Sequence, residues 1–327
     1  MILKKISEAG FFLQSVLILI VFLLLVFTPL PDPGFKNSVF PDVSLYRFLS
    51  GLNITGALWI KILGAGFLLF LGFLYNNLVV RHELVPKQSI FLLVIFSGFM
   101  LLSDSSSSLM VVVSVTMLLL NTLLNIFRMH SEHQPYAKVL NATISLSIAS
   151  LIVPQAVVFI LFVWLGFFTL RIGSWREWVI SLIGLMVPYF YYAVYLFLTD
   201  GLLDALEGYQ LFFRNFRINY PAIGIAEYVV LAFPVLILIL SIGGFISDSG
   251  ERVIAIRKKM WLNVHFFWVT VLVMILSGQG AGFWLPLMFL PLSLFMTHRI
   301  VSRHKSWIFD FLFFAFIALV LFLRIGI

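Results

Sequence analysis

The residues best suited by type and spacing to chemistry are a pair of aspartates and a pair of arginines. Asp32 and Asp42 lie in PLPDPGFKNSVFPDVSLYRFLSGLN, Pro29 to Asn53, which interrupts a long series of apolar runs. At a membrane surface a carboxylate can take a proton from an acceptor hydroxyl while a lipid-linked donor leaves. Arg214 and Arg217 are three residues apart among Phe212, Phe213, Phe216 and Tyr220. On a helix they share a face, and their planar guanidinium groups suit a phosphate or pyrophosphate. Arg47 could join them or run its charged head outward along its own stem. Each group also has a structural use. Asp32 and Asp42 fit turn and cap positions in PDPG and PDVS, and the arginines fit an interfacial amphipathic segment near Glu207. Asp42 is the better cap, which leaves Asp32 the better base.

Lys61 and Glu227 sit just inside apolar segments, where an ionised group faces a cavity or a partner, or snorkels to the interface. Asp104, in SDSSSS, suits a tight turn as well as a polar cavity wall. Asn263, His265 and Gln279 add polarity around one helix and the turn after it, a pattern that also joins helices without any ligand. No metal site is expected: His130 and His133 are close, but no third ligand has suitable spacing, and both read as solvated in a basic loop. No cofactor is implied, since phosphate-loop, zinc-protease, nucleophile-elbow and dinucleotide motifs are all missing. The chain has no Cys, which excludes disulfides and thiolate chemistry.

The elements that must position these residues are membrane helices. The 327 residues are 62% hydrophobic and 11% charged, where a soluble chain carries about 25% charged. Apolar runs repeatedly approach the roughly 20 residues that cross a bilayer, without the alternation of a membrane barrel. The expected fold is therefore all-α, a polytopic transmembrane helical bundle and a single integral membrane domain over 1–327. Spans are expected near 10–29, 56–79, 88–103, 107–127, 138–152, 154–170, 177–198, 225–246, 261–278, 282–298 and 306–324. The pair around Pro154 reads equally as two short helices or one broken element. Lys4 and Lys5 precede a first span with no cleavage motif after it.

Charge orients these eleven spans. With a cytoplasmic N-terminus, 15 of the 21 basic residues face inward, leaving Lys36, Arg47, Lys61, Arg214, Arg217 and Arg324 outside. Every inner connection is then basic, as membrane insertion requires, and the C-terminus is extracytoplasmic. The net charge of +7 is accounted for by these loops and anionic lipid, with no nucleic-acid partner. Two outer connections are long. The first, 30–55, carries an interfacial helix over Leu45, Phe48, Leu49 and Leu52, capped by Asp42. The second, 199–224, reads TDGLLDALEGYQLFFRNFRINYPAIG.

The stretches RHELVPKQSIFLLVIFSGFM, KVLNATISLSIASLIVPQAVVFILFVWLGFFTLR and SWREWVISLIGLMVPYFYY resemble an uncharacterised family of Bacteroidota inner-membrane proteins. So does the serine-rich turn followed by the NTLLNIFR helix. The architecture is similar to that of polytopic glycosyltransferases using polyprenyl-phosphate sugars, whose first outer loop carries juxtamembrane helices and an acidic catalytic residue. That resemblance implies a multi-pass protein of the bacterial inner membrane. It further implies Asp32 or Asp42 as the base and a polyprenyl-phosphate sugar as donor. The adjacent Asp-Asp or Asp-Glu pair common in that superfamily is not present.

Three functions follow from this reading. A transferase requires a carboxylate and an arginine converging on an outward cavity open to lipid. A non-catalytic envelope subunit requires solid packing and an exposed apolar or aromatic surface for another envelope protein. A secondary transporter requires a polar path, and few ionisable groups lie mid-span to supply one.

Overall fold

In the computed structural model, the residues described are 2–8, 10–27, 58–85, 90–102, 109–130, 134–203, 205–207, 210, 225–277, 282–302 and 307–325. Their regular structure is helical throughout. In chain order the helices are α1 (Ile2–Glu8), α2 (Phe11–Phe27), α3 (Leu58–Arg81), α4 (Phe91–Met100), α5 (Leu109–Met129) and α6 (Tyr136–Ile152). A 3-10 turn at Pro154–Phe159 leads into α7 (Ile160–Leu170), followed by α8 (Trp175–Leu198), α9 (Ile225–Ser249), α10 (Ile254–Ser277), α11 (Leu285–Ser302) and α12 (Trp307–Ile325). Among the described residues, six helices are long and apolar enough to cross a membrane, namely α3, α5, α8, α9, α10 and α11, and shorter apolar helices accompany them. The chain is an all-α, multi-pass membrane-helix bundle. Helices suit this composition because each satisfies its own backbone N–H and C=O groups, for which hydrocarbon offers no partner.

The segments around Pro154 form two antiparallel arms. Val153 is extended (φ −131°, ψ 104°), as the residue before a proline prefers, and Pro154 opens the 3-10 turn. The pairing of side chains gives the directions. Ser147 Oγ donates to the Leu185 carbonyl at 2.6 Å, and the Ser150 and Tyr189 hydroxyls lie 2.8 Å apart, so α6 and α8 run parallel. Trp164 donates to Ser181 Oγ at 3.3 Å while Phe167 packs edge-on against Trp178, so α7 and α8 run antiparallel. The chain therefore reverses at Val153–Pro154.

Small and hydroxyl-bearing residues make α6 a shared partner. Thr122 on α5 donates to the Ala142 carbonyl at 3.1 Å, and Asn121 donates to Ser145 at 2.8 Å. On the other side Gly184 of α8 lies directly against Thr143, with no room for a Cβ between them. Helices in lipid associate through such small contacts and interhelical hydrogen bonds, because lipid already solvates their apolar side chains. Ser174 opens α8 in the pattern Ser-x-x-Glu, and its hydroxyl donates to the buried Glu177 carboxylate. Among the described residues, three non-glycine residues take left-handed φ at or just beyond helix ends: Glu83 (55°), Arg171 (59°) and Asp200 (54°). After each, an amide reaches back five residues, as from Leu84 to the Val79 carbonyl, and thereby satisfies a helix-end acceptor.

The centre of the bundle is α4, all ten of whose residues are buried. Phe99 stacks on Phe289 of α11 at 5.2 Å between ring centres and meets Phe313 and Phe316 of α12 at 5.7 and 5.5 Å. The N-terminus is tied to the same core, since Asp310 of α12 accepts hydrogen bonds from the Ile2 and Leu3 amides at 2.6 and 3.1 Å.

Several helices extend further than apolarity alone predicts, α9 and α10 among them. Helix α10 begins at Ile254, whereas the apolar run suggests a start near 261, and α9 continues to Ser249, past 246. The added turns carry Arg257, Lys258, Lys259 and Asp248. Long basic side chains keep their stems along the helices while their heads reach polar partners.

Candidate functional site: polar clusters at the basic end

Of the sequence-derived site residues, Asp32, Asp42, Arg47, Asp104, Arg214 and Arg217 lie outside the described residues, as does the expected interfacial helix after Asp42. Lys61 and Glu227 fall in the first turns of α3 and α9. His133 and Gln279 are likewise outside the described residues. Asn263 is fully buried and accepts the Tyr75 hydroxyl at 2.7 Å, which pins α10 to α3. His265 Nδ1 lies 3.2 Å from the Thr169 hydroxyl of α7. These two polar residues therefore join helices.

The polar groups that come together are at the opposite end from Lys61 and Glu227. Lys259 Nζ lies 3.0 Å from His82 Nδ1, just beyond the end of α3, and the imidazole packs edge-on against Phe127 of α5 at 5.2 Å. With Lys259 donating, Nδ1 is the acceptor and His82 carries its proton on Nε2. Burial, together with the positive charges of Lys259, Arg81 and Arg128, lowers the His82 pKa to about 4. His130 is partly buried rather than solvated. Its pKa is lowered by burial and by Lys258 and Lys259. Lys258 caps the end of α7 by donating to the Leu170 carbonyl at 3.0 Å, where the helix leaves unpaired acceptors and partial negative charge. This cluster sets Lys258, Lys259, Arg81 and Arg128 around a neutral imidazole, with the Glu83 carboxylate near Lys259.

The second cluster joins α9 to α11. His298 is wholly buried, with Nε2 3.4 Å from Asp248 Oδ2. The Leu84 carbonyl, in the turn after α3, and the Arg252 charge are further polar neighbours, and neither ring nitrogen is in good hydrogen-bond geometry. The Arg299 guanidinium crosses α9 at Gly244, where any Cβ would collide with it. Beside these groups a cleft of about 340 Å³ opens, lined by Asp248, Glu251, Arg252 and Ser302. Its lining combines two carboxylates, a guanidinium and a hydroxyl, so it offers both signs of charge to one ligand. Among the described residues no group of three His, Asp or Glu side chains is arranged to hold a metal ion.

Sequence reading passed over His298, Asp248 and Glu251. A signal existed for the first, because His298-Arg299 interrupts an otherwise apolar run in FMTHRIV, and ionisable residues inside a span face partners. Nothing in the sequence pairs His298 with Asp248. No family model, curated protein or solved structure matches this chain.

Proposed function

We propose that the chain crosses the bacterial inner membrane eleven times, with a cytoplasmic N-terminus and an extracytoplasmic C-terminus. In this reading it acts at the outer face as a glycosyltransferase-like protein using a polyprenyl-phosphate sugar. Asp32 or Asp42 serves as the base, and Arg47, Arg214 and Arg217 hold the donor phosphate. Lys61, Asp104 and Glu227 line the polar approach.

The observation that supports this reading is the direction of the helices. Helices α3, α5, α7, α9 and α11 end at the basic clusters through His82, Phe127, Leu170, Asp248 and His298. Helices α2 and α8 lead away from that end, so the two longest connections, 28–57 and 199–224, both join helix ends on the other side. These are the segments that carry the candidate base and the candidate phosphate ligands.

The test is turnover by purified protein in liposomes containing a polyprenyl-phosphate sugar and a hydroxyl-bearing glycan or peptide acceptor, followed by sugar appearing on the acceptor oxygen as polyprenyl phosphate is released. Asp32→Asn is expected to lower the rate on the order of a hundredfold, the usual contribution of a general base. Turnover untouched by both Asp32→Asn and Asp42→Asn would refute the assignment.

A second reading, a non-catalytic envelope subunit, is favoured by α8. Phe190, Tyr191, Tyr195 and Phe197 are exposed along its far half, a surface another envelope protein's helix could cover. Stoichiometric co-purification with one partner, in the absence of turnover, would select it.

A further inference from the structure

The cleft between the ends of α9 and α11 lies at the other end of those helices from the start of α9, and its chemistry is independent of the transferase reading. Among the described residues its lining carries two negative charges, from Asp248 and Glu251, and one positive charge, from Arg252. A bare cation fits poorly, because Arg252 repels it and, among the described residues, no three His, Asp or Glu side chains converge. A simple anion fits poorly as well, because two carboxylates share the wall. A molecule bearing an ammonium and a phosphate a few bonds apart satisfies both halves. The carboxylates accept from the ammonium, and the guanidinium takes the phosphate oxygens in the paired geometry Arg favours. The volume of about 340 Å³ falls at the small end of ligand sites, which span roughly 300–1,000 Å³.

Two further observations point to a headgroup. Asp248, which lines the cleft, has behind it His298, a fully buried imidazole whose Nε2 lies 3.4 Å from its carboxylate. The carboxylate therefore borders the packed interior on one side and the cleft on the other. Immediately after Arg252, Val253 and Ile254 are strongly exposed, and Leu236, Ile239 and Leu240 present an exposed apolar face along α9. The polar cleft therefore sits where apolar helix surface gives way to charged side chains, at the depth of lipid headgroups.

We propose that Asp248, Glu251, Arg252 and Ser302 form a binding site for a zwitterionic phosphoethanolamine group, with the ammonium on the two carboxylates and the phosphate on Arg252 and Ser302. The same chemistry is offered by a phosphatidylethanolamine headgroup and by a soluble ethanolamine phosphodiester.

The experiment uses the full-length protein, purified in a sugar-based detergent and stripped of lipid. Binding is followed by thermal unfolding and native mass spectrometry. The probes are dihexanoyl-phosphatidylethanolamine, glycerophosphoethanolamine, dihexanoyl-phosphatidylcholine and dihexanoyl-phosphatidylglycerol. Saturable binding of the ethanolamine lipid is expected. Phosphatidylcholine, whose quaternary nitrogen has no N–H to donate, and phosphatidylglycerol, which lacks the cation, are expected to bind about tenfold more weakly or worse. Equal binding of glycerophosphoethanolamine would identify a soluble ligand, and binding of the lipid alone would identify the headgroup; both uphold the site. Arg252→Gln and Asp248→Asn are each expected to weaken binding about tenfold or more. Glu251→Gln, at an exposed position that cannot unfold the bundle, is expected to weaken it about threefold. Binding that ignores the headgroup, that survives all three substitutions, or that is absent for both ethanolamine probes would overturn the proposal.

Discussion

Helices α8 and α11 are both long and apolar, yet they stand in opposite relations to the bundle. In α8, the more apolar of the two, 17% of the membrane-length window is buried, whereas in α11 the share is 78%. Helix α11 carries Pro286, Pro291, Ser293, Thr297 and His298, all buried. Helix α8 presents Met186, Phe190, Tyr191, Tyr195, Phe197 and Leu198 outward. In water this order would be reversed, because burial of apolar area drives folding there. In lipid the apolar surface is already solvated, so the interior goes to the helix with the most specific packing and polar partners. The two helices are also held differently. Helix α11 is held by stacked rings, while α8 hangs on α6 and α7 through hydroxyls, indole contacts and the close approach at Gly184.

The sharpest way to break this comparison is to delete the same side chain from each helix. Phe289→Ala removes a fully buried ring stacked on Phe99 and is expected to cost about 3 kcal/mol, the lower part of the range for core phenylalanines because lipid offsets some of the transfer term. Phe190→Ala, at an exposed ring, is expected to change stability by less than about 0.5 kcal/mol. Unfolding of both variants in one mixed-micelle system measures the difference, and equal losses would mean that α8 is not a lipid-facing helix.

Next in size is Gly184→Leu. A Cβ there meets the Thr143 side chain and lies 3.2 Å from the Leu140 carbonyl. Since a carbonyl cannot move aside as a side chain can, α8 must separate from α6 at an expected cost of about 1–3 kcal/mol. Amide exchange should accelerate in α8 and stay slow in α11. Uniform acceleration in both would show that the two helices form one cooperative unit.

The smallest effect concerns pH. His82 in the folded protein has its pKa lowered from 6.5 to about 4, chiefly by burial and then by neighbouring cations. Between these values the unfolded chain takes up a proton that the folded chain refuses. The stability contribution is therefore full above about pH 6.5 and is lost as pH falls toward about 4. Because the ring is only half-buried, the loss is expected to be about 1 kcal/mol. Melting temperature measured across this interval should fall for the native sequence and flatten in His82→Gln. An equal slope in that variant would move the effect to another group.

Much of the fold was legible along the chain. Pro154 marks a break, since proline opens the 3-10 turn and holds Val153 extended, but that the chain reverses there follows from the pairing of α6 and α7 with α8. The apolar run beginning near 177 lies within two residues of the observed start of α8 at Trp175. The apolar run places the start of α10 too late, since Arg257, Lys258 and Lys259 are helical and reach polar partners on other elements. The candidate site was less legible. The aspartates and arginines that drew attention by type belong to connections outside the described residues. The clusters seen in the fold are made of residues that looked like ordinary inner-loop charge. Asp248 gains meaning from His298, and Lys259 from His82, and neither pairing leaves a local pattern.

The sequence by itself determined that this is a chain of apolar helices, because backbone groups in hydrocarbon must pair within their own segment and almost no residues remain for anything else. It also determined which helix ends are basic. Tertiary structure decided which helices occupy the interior. Hydropathy does not rank burial when the solvent is as apolar as the core. That choice fell to packing complementarity and a few polar contacts between residues far apart in the chain, which buried α4 and α11 and left α8 facing outward.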